Sequence, residues 1–112
     1  MTIEAARKLL LKQKNVEESE HHGHPDFRVN NKIFATLRPA QARSVLRLPI
    51  EVAEATEKGE ISRCRIVSRS GGMGWLSVDL KHWKVVEFDP LVQLAHGQMK
   101  QPPEKGTKAR KS

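Results

Sequence analysis

The stretch HPDFRVNNKIFATLR, residues 24–38, decides the fold. Apolar residues flank Asn30-Asn31-Lys32 on both sides, and asparagine tolerates the positive φ that tight hairpin turns require. The spacing predicts a β-hairpin with arms at 26–29 and 32–38. Before it, residues 17–21 read as a strand, and Thr2 as the N-cap of a helix over 3–13. Ile3, Ala6, Leu9, Leu10 and Gln13 there fall at helical spacing. After it, Pro39-Ala40-Gln41-Ala42 reads as a turn into a strand at 43–48. Pro49 then suits the first position of a helix over 49–58, with Gly59 as its left-handed cap and Lys58 at the negative end of its dipole. Strands at 61–68 and 75–80 bracket a glycine-rich loop, and Asp89-Pro90 opens a last helix over 90–99 carrying Leu91, Val92, Leu94 and Ala95. The pattern predicts an α+β domain: one antiparallel sheet with its helices packed on one face.

Strand side chains alternate with period two, which sorts the residues into faces. Phe27 with Val29, Leu46 with Leu48, and Leu76 with Val78 and Leu80 are expected to meet the helices. The opposite face then collects Arg28, Arg43, Arg47, Arg63 and Arg65, with Trp75 at a strand start and Asp79 as an acid among them. Arginines beside an aromatic suit a surface that tracks phosphates and stacks bases. The same pattern is also what the solvent face of an antiparallel sheet looks like, with Glu17, Glu18 or Glu20 available to neutralise it.

Three markers carry a family resemblance. Phe27-Arg28-Val29, two turn residues, then Lys32-Ile33-Phe34-Ala35 resembles the signature hairpin of the bacterial MmcQ/YjbR family. The strand opening with Gly74-Trp75 is similar to that family's second marker, and residues 44–48 to its middle strand. The resemblance spans roughly residues 5–98. It implies a frataxin-like (CyaY-like) layout and the DNA-binding label commonly attached to the family, a label resting on fold-level inference. Relatives carry a tyrosine after an Ala or Ser in the last helix where this chain has Ala95-His96. Since the chain has no tyrosine, no role of that residue transfers. Frataxin-type iron binding uses an acidic first helix, whereas here Arg7, Lys8, Lys12 and Lys14 face Glu4 alone.

With 112 residues, 38% hydrophobic and 29% charged, the chain suits one domain with one modest core. No apolar run is long enough to span a bilayer, and residues 1–8 lack the character of a signal peptide. Cys64 is a lone cysteine and forms no internal disulfide, which fits a reducing cytoplasm. Of the net charge of +7, residues 99–112 contribute +4. This divides the chain into a domain at 1–99 and a basic tail at 100–112. The tail is apolar-poor and expected to be disordered and dispensable for folding from about Pro102.

Other chemistry finds little footing. His21, His22 and His24 cluster ahead of the hairpin, but they lack the converging third and fourth ligands of a metal site. Gly71-Gly72-Met73-Gly74 lacks the Gly-Lys-Ser/Thr ending of a phosphate loop and precedes a strand. Cys64 is expected to point inward and stay inert. The expectation is a cytoplasmic, non-enzymatic domain without cofactor or metal that binds DNA largely regardless of sequence. A protein-interaction or small-ligand module is the alternative.

Overall fold

A computed structural model describes residues 1–59 and 63–101, with His21 described by its backbone only. Helix α1 (Ile3–Leu11) leads into strands β1 (Glu17–His21), β2 (His24–Val29) and β3 (Lys32–Arg38). A 3₁₀ turn at Pro39–Gln41 precedes β4 (Arg43–Pro49) and helix α2 (Ile50–Gly59). Strands β5 (Cys64–Ser70) and β6 (Met73–Asp79) follow, then a second 3₁₀ turn at Leu80–His82 and helix α3 (Val85–Gly97). The six strands form one antiparallel sheet in the order β1-β2-β3-β4-β6-β5. The expected α+β architecture is what forms. Among the described residues, no helix is long and apolar enough to cross a membrane.

Three two-residue turns set the registers. His22-Gly23, Asn30-Asn31 and Gly71-Gly72 all have positive φ at both positions, between 53° and 80°. That geometry matches the right-handed twist of the strands it joins. The Asn30-Asn31 turn is the expected one. The other two correct the sequence reading: His22-Gly23 joins β1 to β2, and the supposed loop at 69–74 shrinks to a glycine pair. Residues 69–70 and 73–74 instead belong to the strands.

Helix ends differ more. Thr2 caps α1 as expected, its Oγ1 accepting from the Ala5 N–H at 3.1 Å, but the helix stops at Leu11. Pro49 is the last residue of β4, opposite Met73, and α2 begins one residue later. Gly59 ends α2 without entering the left-handed region. Helix α3 starts at Val85, five residues before the expected Asp89-Pro90. Its spiral of Phe88, Leu91, Val92 and Ala95 is buried, and Glu87 folds back to accept from the Lys84 N–H at 2.9 Å. Pro90 is therefore interior. The carbonyl deprived of a bond by its missing N–H belongs to Val86, which is 75% exposed and open to water. The expected strand residues Ile61 and Ser62, and the tail from Pro102, lie outside the described residues.

The core lies between the helices and one sheet face, with Phe27, Val29, Leu46, Leu48, Leu76 and Val78 buried as expected. Cys64 is buried too, its Sγ donating toward the Thr56 carbonyl at 3.7 Å. Helix α2 rides close over β6 at Gly74, where a Cβ would come within 3.0 Å of both the Ala53 Cβ and the Ile50 Cδ1. That approach explains a glycine directly before Trp75. Gly74→Val should cost about 1–3 kcal/mol, because the helix has to lift off the strand. The check is the urea midpoint of the variant. A midpoint equal to wild type would mean that the helix does not ride on this strand.

Candidate nucleic-acid interface

The face away from the helices is an ordered grid. Its first row runs Arg38 on β3, Arg43 on β4, Asp79 on β6. The second runs Asp26, Thr36, Val45, Ser77, Arg65 from β2 to β5. The third pairs Arg47 with Trp75 and Ser68. The centre of the middle row, Thr36, Val45 and Ser77, is built of small side chains flanked by larger ones, so the face is grooved across the strands. A concavity of about 500 Å³ follows that groove, its walls including Arg38, Arg43, Arg65, Val67 and Trp75 over a floor of Thr36, Val45 and Ser77.

A bulge shapes the groove at the β5 edge. The register shifts between Ile66 and Ser68, leaving Val67 unopposed and 51% exposed in the groove wall. A second recess of about 230 Å³ adjoins the first at Thr36 and Arg38, and is also lined by His22, His24, Asp26 and Ile33. Where the two meet, the Thr36 Oγ1 is buried without a hydrogen-bond partner.

The predicted site residues separate into three groups. Arg43, Arg65 and Trp75 line the one groove. Arg43 is held in place: its Nε donates to the Ser77 Oγ at 2.7 Å, an Nη to the Ser77 carbonyl at 3.1 Å, and Asp79 stands 4.0 Å away. Burial pushes the Asp79 carboxyl up. Hydrogen bonds from His82 and the Lys81 N–H, with the Arg43 charge, outweigh it and hold the carboxyl below its usual value. Arg65 has no ion pair or side-chain hydrogen bond among the described residues.

Arg28 and Arg47 share the face but not the groove. Arg28 forms a bidentate pair with the fully buried Asp26, at 2.9 and 3.1 Å, so its charge is largely spent within the protein. Arg47 sits at the far end of β4 against Met99, in a separate recess with Lys32 and Lys100.

Arg63 does not belong to the face at all. It precedes β5, where the chain is still turning, and reaches toward the start of α3. There it stacks on Trp83 with 4.6 Å to the ring centroid, donates to the His82 carbonyl at 2.6 Å and pairs with Glu87 at 3.1 Å. The Arg63 hydrogen bond, with that from Lys84, holds the Glu87 carboxyl below its ordinary range. The expectation that Arg63 faces outward assumed strand alternation where there is no strand.

Arg38 is the residue that sequence reasoning missed. It lines both recesses and has no ion pair or side-chain hydrogen bond among the described residues. The signal was present, because alternation from Leu37 puts Arg38 on the outer face. As for the acidic strand, Glu18 pairs with Arg7 of α1 at 2.8 Å, on the helix side, and leaves the groove arginines untouched. Among the described residues, no group of three His, Cys, Asp or Glu side chains is placed to hold a metal ion.

No family model matches the chain, and no curated protein does. Among solved structures, the crystal structure of Deinococcus radiodurans protein DR2400, a DUF419 domain, is similar at a TM-score of 0.77. The match covers 96% of this chain and 86% of that one, at 15% identity. A likeness at that identity speaks for the shared α+β fold alone.

Proposed function

We propose that this chain is an MmcQ/YjbR-type binding module, not an enzyme, and that it holds nucleic acid through the grooved outer face of its sheet. One observation carries the reading: Arg38, Arg43 and Arg65 converge on a single groove that also holds Trp75. Two of these guanidinium groups have no partner among the described residues, and the third is oriented by Ser77. Cationic groups of that kind suit phosphates, and phosphate contacts position a strand without reading its sequence. The motif resemblance at 27–35 and 74–75 supports the family assignment, and the basic residues from Lys100 onward add attraction at long range.

The test is a salt-titrated anisotropy assay with labelled DNA, on the full chain and on a chain ending at Gln101. Binding should be weak and similar across sequences. Its logarithm should fall linearly with the logarithm of salt, with a slope of about −2 to −3 for three phosphate contacts. Truncation should weaken binding without abolishing it. No affinity in the truncated chain at low salt would hand the site to a protein or small-ligand partner.

A further inference from the structure

We infer that the groove selects single strands over duplex, with an unstacked base lying against Trp75. The inference rests on the nucleic-acid reading above and goes on to name which nucleic acid. A duplex is read by an element that protrudes into its major groove, usually a helix or a β-ribbon. Here the basic residues surround a concavity, and the three helices pack on the opposite face of the sheet. Against such a surface a duplex touches only the rims. Its bases are stacked on both faces and cannot reach an aromatic set in a groove wall.

A single strand meets none of these obstacles. Trp75 is partly exposed, and Val45 and Val67 extend its apolar surface for the edge of a base or a sugar. Arg38, Arg43 and Arg65 stand around that patch at phosphate-contacting positions. The groove is also long. Through Thr36 and Arg38 it continues into the recess at His22, His24 and Asp26, so it crosses from β5 to β2. Four strand spacings of about 4.8 Å give about 19 Å of track. That length suits a short run of nucleotides, near the lower end of about four for single-domain strand-binding sites.

The experiment uses the full chain at low salt and follows tryptophan emission. Trp83 is only 5% exposed beneath Arg63, so a quench on adding nucleic acid reports on Trp75. The titrants are a thymidine 12-mer, the same strand annealed to its complement, and thymidine monophosphate. The single strand should bind at least about tenfold tighter than the duplex and quench the emission, while the mononucleotide binds far more weakly. Trp75→Leu should cost about 5- to 150-fold in single-strand affinity, the range expected for one base–aromatic stack. Trp75→Phe, which keeps a ring, should retain most of it. The wild-type ratio and quench need no variant, so a misfolded Trp75→Leu leaves the inference testable. Duplex bound as tightly as single strand, with emission unmoved, would overturn this inference and leave the nucleic-acid reading standing. Mononucleotide bound as tightly as the 12-mer would overturn it in favour of a small ligand. No binding by any titrant would overturn both.

Discussion

Replacing Arg38 and Arg65 together with alanine should flatten the salt dependence of DNA binding by about two units of slope, one for each lost phosphate contact. Affinity at low salt should fall by roughly thirtyfold, taking about 1 kcal/mol for each contact. The size of the effect follows from what these side chains do in the free protein. Both line the groove, and neither has an ion pair or side-chain hydrogen bond among the described residues, so their charge is available to a ligand. Arg28 and Arg63 are basic as well, but Asp26 and Glu87 already hold them. Arg63→Ala is therefore the informative control. It removes the stack on Trp83 and the bond to the His82 carbonyl, and should cost about 1–2 kcal/mol of stability while leaving the salt slope unchanged. Strand alternation alone would set Arg63 on the same outer face as Arg65. If the slope drops with Arg63→Ala and holds with the Arg38 and Arg65 double variant, the groove is not the binding surface.

That contrast marks where sequence reading succeeds and where it stops. Alternation is a local rule, and where a strand runs regularly it places side chains correctly: Arg43, Arg65 and Trp75 meet in one groove as their parity requires. It fails at the ends of elements. Arg63 lies one residue before β5, where the chain is still turning and the parity of Arg65 no longer applies. The start of α3 was hidden for a related reason. Asp89-Pro90 is a strong local start signal, but the buried Phe88 and the backward reach of Glu87 begin the helix sooner. Asn30-Asn31 announced its turn because asparagine is a known left-handed residue. His22, at a φ of 53° ahead of Gly23, carries a weaker form of the same signal, because histidine also favours that region. Ion pairing was the least legible layer: whether an arginine is free or spent depends on partners distant in sequence, as Arg7 with Glu18 and Arg63 with Glu87 illustrate.

Phe34→Ala should be among the most damaging substitutions in the domain, costing about 3–5 kcal/mol. That is a large part of the total stability of about 5–15 kcal/mol expected for a single domain. Strict alternation along Ile33-Phe34-Ala35-Thr36 would set Phe34 on the outer face beside Thr36, where truncation costs little. The structure turns it inward. Between Phe27 and Arg28 the pairing with β3 shifts, Phe27 opposing Ala35 and Arg28 opposing Ile33, so that Phe34 has no opposite residue. A bulge of this kind lets two successive side chains share a face, and both Phe34 and Ala35 are fully buried. The Phe34 ring meets the edge of His96 on α3 at 5.8 Å, tying the hairpin to the last helix. Ile33, by contrast, lines the outer recess beside Asp26 and is only partly buried. Ile33→Ala should cost no more than about 1.5 kcal/mol, and it leaves no cavity between sheet and helices. Urea unfolding of the two variants measures the difference. A regular strand without the bulge predicts the reverse order, a mild Phe34→Ala and a costly Ile33→Ala. That order would also place a phenylalanine beside the groove floor and change what the groove can hold.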